Sequence, residues 1–371
     1  MGKILNYKVR LEVMGPVHIG SGVTLEKSEY IYNKNMIYVL DPVKMFDYMR
    51  KTNLLGEYEK EIMSGAGSNM TFFVRNKEIP VSEYKNWASY SYRIDEEVNV
   101  KNMQINTCIK DAYNMPYIPG SSLKGCIRNA VLNTTLIEKE KSRLADDIEW
   151  RSEIYAKRNV YLKNESEKAD DVFRRYNLQE GKRPAIENDI FKGLRISDSR
   201  PLKRDDITLC PKIDVSPEGR RGRINILREC IRPGTIAEFN LEINTGIFEY
   251  DADALLDCIR TFYKNQRECF LRKFQPLGND NKRGDFLYIG GGTGFVSKTA
   301  LYGLFHNRER GLKVASVILD KVDSVNKGKK TGDHIEDPKK YGVSPHMRKC
   351  TLYNNVLTDF GLCKIDFQPI G

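Results

Sequence analysis

Apolar and polar residues alternate over positions 7–13 (YKVRLEV) and stop at Gly15-Pro16, a period of two that predicts a first strand with one buried face. His18-Ile19-Gly20-Ser21-Gly22 then reads as a small-residue loop. A second strand over 30–40 leads through Asp41-Pro42 into a helix, because Asp caps a helix start and Pro suits its first turn. After the turn-rich Pro116-Tyr117-Ile118-Pro119-Gly120, Leu123, Ile127, Ala130 and Val131 recur at helical spacing from Ser121 onward, with Lys124 and Arg128 four apart on a neighbouring stripe. Residues 138–183 are charge-balanced and lack long apolar runs, which predicts a helical insertion or connection ended by Arg183-Pro184.

The second half repeats the mixture. It reopens at 194–199 (LRISDS), and 237–243 alternates as a strand between Pro233-Gly234 and Gly246. A helix from Asp251 carries Leu255, Ile259, Phe262, Tyr263, Phe270 and Phe274 as an apolar stripe. A short strand over 286–289, a flexible turn at 290–294, a helix over 295–305 bearing Lys298 and a strand over 314–319 follow. The pattern predicts an α+β chain, and 371 residues give room for two closely packed domains.

Charge narrows the class of partner. A net charge of +10 favours a polyanion, since Lys and Arg release counterions when they replace them on phosphates. The excess is uneven: residues 282–349 hold 14 Lys/Arg against 7 Asp/Glu, which makes that stretch the candidate phosphate face. Eight cysteines without a C-x-x-C pair spell out neither a zinc knuckle nor a thioredoxin-like site, and they read as reduced thiols of a cytoplasmic protein. The N-terminus lacks an apolar signal core, Asn6 stands where a myristoylation signal needs Ser or Thr, and no apolar run is long enough for a membrane span.

Both halves place a Gly-, Ser- or Thr-rich turn before a helix with a Lys near its start: Gly120-Ser121-Ser122-Leu123-Lys124 and Gly290-Gly291-Gly292-Thr293-Gly294 running on to Lys298. Glycine lets the backbone lie against a ligand, helix-start N–H groups attract phosphate oxygens, and the Lys adds a point charge. Capping by Ser121 and Ser122 with tight strand-to-helix packing is the competing account of either loop alone. Their repetition in a basic chain favours phosphate binding and suggests a duplicated unit.

Other candidates weigh less. The aromatics of 84–93 (Tyr84, Trp87, Tyr90, Tyr92) have a base-stacking composition but are better read as core or interface packing. Asp198, between two serines, reads as a turn-former, and His306, His334 and His346 are too far apart in the chain to nominate a zinc site. No metal, cofactor or catalytic residue is expected. A P-loop nucleotide hydrolase is the main rival, with Lys298-Thr299 after a glycine turn and Asp320 after a strand, but Ser297 replaces the glycine that must precede the Lys and Lys321 follows Asp320. A metal-independent ribonuclease acting through His18 lacks a partner acid. A scaffold whose basic face meets acidic subunits is the third alternative.

At these residues the chain resembles a known family. IPGSSLKGCIRNAVL (118–132), HIGSG (18–22) and GGGTGFVSKT (290–299) look like the RAMP superfamily of CRISPR-associated proteins; LRISDSRPL (194–202) and VSPHMRKCTLY (343–353) look more narrowly like the fifth Csm subunit of type III-A effector complexes. The resemblance implies two tandem ferredoxin-like (RRM-type) domains, placed at 1–137 and 191–371 on either side of the charged helical insertion or connection that composition predicts at 138–190. It implies a non-catalytic subunit that caps the complex at the 3′ portion of the CRISPR RNA, beside the repeated backbone subunit and other Csm subunits, and supports maturation of that end in antiviral defence. Target RNA and host nucleases are further partners it would allow. The implied RNA contacts are His18, Gly20, Ser21 and Gly22; Ser121, Ser122, Lys124 and Arg128; and Gly290, Gly291, Gly292, Thr293, Gly294 and Lys298. No RNP-like pair of sheet aromatics accompanies them, so loop contacts to backbone phosphates are expected instead of base readout.

Overall fold

The computed structural model describes all residues except 1, 64–68, 96–102, 140–165, 168, 183–184, 278–283, 305–307, 328–332 and 371. In chain order it runs β1 (Ile4–Val13), β2 (Gly20–Leu25), β3 (Tyr30–Asn33), β4 (Met36–Leu40), α1 (Pro42–Lys51), α2 (Leu55–Met63), α3 (Met70–Asn76), α4 (Val81–Trp87), β5 (Ala88–Arg93), β6 (Gln104–Cys108) and α5 (Gly120–Lys139). It continues with β7 (Leu194–Ile196), β8 (Ile207–Val215), β9 (Arg221–Ile231), β10 (Ile236–Asn244), α6 (Ala252–Cys269), β11 (Phe286–Tyr288), α7 (Leu301–Leu304), α8 (Arg308–Lys327), α9 (Asp337–Lys340), β12 (Arg348–Tyr353), β13 (Val356–Asp359) and β14 (Leu362–Pro369).

The alternation of β1 buries Val9, Leu11 and Val13 completely, and that face is the floor of the main core. β1 lies centrally in a five-stranded sheet of order β11-β14-β1-β10-β7 whose pairs are all antiparallel. Helices α5 and α6 pack together over this core through Leu123, Ile127, Val131, Leu255 and Ile259. The path β1-α5-β7-β10-α6-β14 with the spatial order fourth-first-third-second is the βαββαβ arrangement of a ferredoxin-like unit. This unit draws strands from both of the expected domains, 1–137 and 191–371, so the ends of those domains are not boundaries of its sheet.

A six-stranded sheet of order β13-β12-β8-β9-β6-β2 stands beside it, mixed because β6 and β9 run parallel. The third sheet, β3-β4-β5, carries α1 to α4 and has its own core of Ile31, Met45, Met49, Phe73 and Trp87. The expected second strand is therefore a hairpin, with Lys34 in the left-handed region (φ 53°) at its turn. Asp41 caps α1 through Oδ1, which accepts from the Val43 and Lys44 N–H groups, as its sequence position predicted. Tyr84, Trp87, Tyr90 and Tyr92 are all buried, in agreement with a packing role.

Three local expectations fail. The strand expected at 314–319 lies inside α8, where Val314, Ala315 and Ile318 are buried at helical spacing against the main core; tertiary burial along one stripe overrides the β propensity of its branched residues. The helix expected over 295–305 is only a 3₁₀ turn at Val296–Lys298 followed by the four-residue α7, and its end lies outside the described residues. Gly20 to Gly22 is not a loop but the start of the exposed edge strand β2. Most of the expected insertion at 138–183 also lies outside the described residues. No described helix is long and apolar enough to cross a membrane.

Candidate nucleic-acid interface

The first and last glycine motifs, some 270 positions apart in the chain, are one structure. His18 and Gly291 form an antiparallel bridge, and the Gly291 N–H donates to the His18 carbonyl at 2.6 Å. A side chain at 290 would meet the His18 carbonyl oxygen at 2.4 Å, so only glycine permits this approach. Thr293 Oγ1 donates to the Gly290 carbonyl at 3.3 Å, Ser297 Oγ stands 2.9 Å from Thr293 Oγ1 and also donates to the Gly294 carbonyl. Beneath it, Arg348 and Asp359 form a buried two-pronged ion pair at 2.7 and 2.6 Å, and the Tyr288 hydroxyl donates to the same carboxylate at 2.7 Å. The turn is thus shaped by its own bonds and by a rigid floor before any ligand arrives.

His18 is buried, and its Nδ1 donates to the Glu229 carbonyl at 2.8 Å, which leaves Nε2 as the unprotonated nitrogen against Gly20. Burial holds its pKa below the usual 6.5; the Glu229 carbonyl works the other way, and the positive Arg228 and Lys110 reinforce burial. Ser21 Oγ is shared with Thr107 Oγ1 at 2.6 Å across β2 and β6, while Gly22, at φ 87°, lies on the exposed edge.

Arg228, on β9, is the residue that the sequence did not single out. A Cβ at Gly292 would lie 2.5 Å from its Nη1, so the guanidinium sits directly against the glycine turn. Its Nε and Nη1 are buried and have no hydrogen-bond partner. Lys298 and Lys212 stand near it: burial and then the Arg228 charge lower the pKa of Lys298, and burial, Lys349 and Arg228 lower that of Lys212 against the opposing pull of Asp214, whose carboxylate is paired with Lys349 at 2.6 Å. Two buried N–H donors of one guanidinium without an acceptor leave a local demand for an anion. A side chain alternating along β9 carries no sequence mark that separates it from Arg223 or Arg232.

The other glycine turn is occupied by the protein itself. The Gly120 N–H at the start of α5 donates to Asp198 Oδ1 at 2.8 Å, and a Cβ at 120 would clash with the Ser197 carbonyl at 2.3 Å. Asp198 is therefore more than a turn-former, since its carboxylate takes the helix-start position expected for phosphate. Lys124 Nζ donates to the Leu194 carbonyl at 2.7 Å. Arg128 grips Asp189 with two nitrogens at 3.0 and 2.8 Å, its guanidinium 4.0 Å from the centre of the Phe173 ring. Ser121 stays exposed. Helix α5 nevertheless touches the last glycine turn: Asn129 Nδ2 donates to the Ser297 carbonyl at 3.3 Å and Cys126 Sγ to the Tyr288 carbonyl.

The features required of a phosphate loop are missing among the described residues. Position 320 follows helical residues, and Asp320 Oδ1 accepts from the His334 and Ile335 N–H groups. His334 and His346, too distant in sequence to nominate a shared site, stand with ring centres 4.5 Å apart, because the segment between them folds back on Asp337. His306 lies outside the described residues.

Among curated proteins, the chain is 25% identical over 302 residues to the CRISPR system Cms protein Csm5 of Streptococcus thermophilus, covering 79% of each. It is 25% identical to the Csm5 protein of Enterococcus italicus over 98% of each chain, and 22% identical to that of Mycobacterium tuberculosis over 98% of this chain and 97% of the relative. Among solved structures, it matches a chain of the cryo-EM structure of a Csm-crRNA-target RNA ternary complex of a type III-A CRISPR-Cas system with TM-score 0.69, 20% identity and coverage of 97% and 100%. It matches the crystal structure of T. onnurineus Csm5 with TM-score 0.61, 19% identity and coverage of 96% and 99%. At these identities the structural likeness speaks for the fold. The RAMP superfamily model matches residues 10–297, from the central strand of the ferredoxin-like sheet through the last glycine turn, and the chain belongs to that superfamily.

Proposed function

We propose that this chain is a non-catalytic RNA-binding subunit of a type III-A CRISPR (Csm) effector complex, capping it at the 3′ portion of the CRISPR RNA and supporting maturation of that end. The observation that carries the reading is Arg228 against Gly292, its buried Nε and Nη1 without a hydrogen-bond partner, in a turn joined to His18 with Lys298 and Lys212 close by. Backbone phosphate is the anion such a turn accommodates, with little dependence on base identity. The Csm5 names of the relatives and the RNA-containing complex among the structural neighbours support the partners: CRISPR RNA, target RNA, the repeated backbone subunit and other Csm subunits.

The interface consists of His18, Gly20, Ser21, Gly22, Gly290 to Gly294, Lys298 and Arg228. Arg128 leaves it because it is paired with Asp189, Lys124 because its Nζ is turned onto the Leu194 carbonyl, and Ser121 and Ser122 because Asp198 fills the helix start beside them. Absence of chemistry is supported by the bonding of His18, whose described side-chain hydrogen bond goes to a carbonyl and not to an acid. Crosslinking of the purified complex to a defined CRISPR RNA tests the site: labelled peptides should carry residues 18–22, 228 and 290–298, and labels confined to other peptides would remove it. Cleavage of a CRISPR RNA precursor by the isolated subunit, abolished in His18→Ala, would overturn the non-catalytic reading.

The tandem reading has its own test. Expressed alone, residues 191–371 should fail to fold, because their sheet lacks the central β1 between β10 and β14. A cooperative thermal transition of that fragment would restore two independent ferredoxin-like units.

A further inference from the structure

Behind the glycine turn lies a cavity of about 300 Å³, bounded by Thr293 to Ser297 on one side and by His334 and residues 345–349 on the other. Two histidines of its wall, His334 and His346, meet a carboxylate behind it. Asp337, at the start of α9, is fully buried; its Oδ2 lies 2.8 Å from His334 Nδ1 and its Oδ1 2.6 Å from His346 Nδ1. One donor atom from each of the three residues falls within 4.8 Å of the other two. Phe270, Leu271, Leu319 and Met347 supply an apolar surround.

Hydrogen bonding accounts for part of this cluster. Asp337 also accepts from Ser344 Oγ at 2.8 Å and from the His346 N–H at 3.2 Å, and these bonds fold the segment back on itself. That task needs only donors, which a serine and a backbone amide already provide. Two of the chain's four histidines on one buried carboxylate, both lining a cavity with room for water, form a ligand set as well. Imidazole nitrogen with a single carboxylate selects zinc-class ions, whereas calcium and magnesium favour all-oxygen shells and copper(I) favours sulfur.

We propose that His334, Asp337 and His346 bind a divalent transition ion of the zinc class through both Nδ1 atoms and an Asp337 oxygen, with water from the cavity in the fourth position. Neutral imidazoles need lose no net proton, because the proton on each Nδ1 moves to Nε2 through cavity water and frees the Nδ1 lone pair. Bonds of about 2.0–2.2 Å put tetrahedral ligands about 3.3–3.6 Å apart, so the N···O gap to the ligating oxygen opens by roughly 0.5–1 Å and the histidine now bonded to the other carboxylate oxygen shifts toward the shared one. Only the segment from His334 to His346 has to move. The ion would fix this segment beside the glycine turn, two residues before the Arg348 that supports the turn's floor. The His–Asp–His geometry carries this site independently of RNA binding.

The test uses the full chain, stripped with chelator, reloaded with zinc and desalted. Elemental analysis should find one zinc per chain and the melting temperature should rise, while cobalt(II) in place of zinc should give the visible absorption of a tetrahedral site. His346→Gln and His334→Gln should lose the retained zinc, and Ser344→Ala, which removes a hydrogen bond and no ligand, should keep it. Should the histidine variants unfold, zinc titration of the unmodified protein against a chelating dye decides alone: saturable one-site binding supports the proposal. Absence of saturable binding, or zinc retention equal in wild type and the His334→Ala/His346→Ala double variant, overturns it.

Discussion

The two glycine turns, one before α5 and one before a single 3₁₀ turn, look alike in sequence and differ in what they have left to offer. At Gly120 the helix start is filled by Asp198, Lys124 is held by the Leu194 carbonyl, and Arg128 is spent on Asp189 and Phe173. At Gly290 to Gly294 no carboxylate is bonded to Arg228, and the neighbouring Lys212 and Lys298 are lowered in pKa by burial and by like charge. A glycine turn before a helix is therefore either a packing device or an anion site. Whether an internal acceptor takes the donors that face the turn decides which.

The sharpest way to break this contrast is Arg228→Ala. Loss of charge-assisted bonds worth about 1.5–3 kcal/mol should weaken binding of CRISPR RNA roughly ten- to hundredfold in filter or polarisation assays, with the melting temperature little changed. Unchanged affinity would remove the anion site. Arg128→Ala should do the reverse, lowering stability by about 1–2 kcal/mol in urea unfolding, since a part-exposed ion pair and a ring contact go together, while RNA affinity stays level. An RNA defect without destabilisation would restore the Gly120 turn as an interface.

Smaller effects sharpen the picture. Lys298→Gln should reduce the slope of log affinity against log salt by about 0.7, the share of one phosphate contact on a single strand. Lys124→Gln should leave that slope alone. His18 supplies a pH signature: its folded pKa lies below 6.5, so the unfolded chain binds the proton more readily. Stability from the neutral ring is complete above the unfolded pKa and declines as pH falls below it. Unfolding midpoints at about pH 7.5 and about pH 5.5 should differ more in the wild type than in His18→Gln.

Local patterns were legible wherever one face of an element is buried. The alternation of β1, the stripe of α5 and the Asp41-Pro42 and Asp251 caps follow from periodicity and capping alone. The 314–319 run misled because branched apolar residues suit a strand and a buried helix equally, and only the core contacts of Val314, Ala315 and Ile318 settle it. The halves of the chain suggested tandem domains for a similar reason: a repeated motif was visible, but strand partners were not.

The sequence by itself determined the mixed α+β class, the basic character, the glycine positions that tolerate close backbone approach and the motifs that place the chain in its superfamily. Tertiary structure alone decided that His18 meets Gly291, that Asp198 fills the start of α5, that Arg228 faces Gly292 with Nε and Nη1 lacking an acceptor, and that His334 and His346 converge on Asp337. Periodicity and capping are written within a few residues of one another. Which carboxylate reaches which donor is set by the pairing of strands from opposite ends of the chain, and no local pattern encodes it.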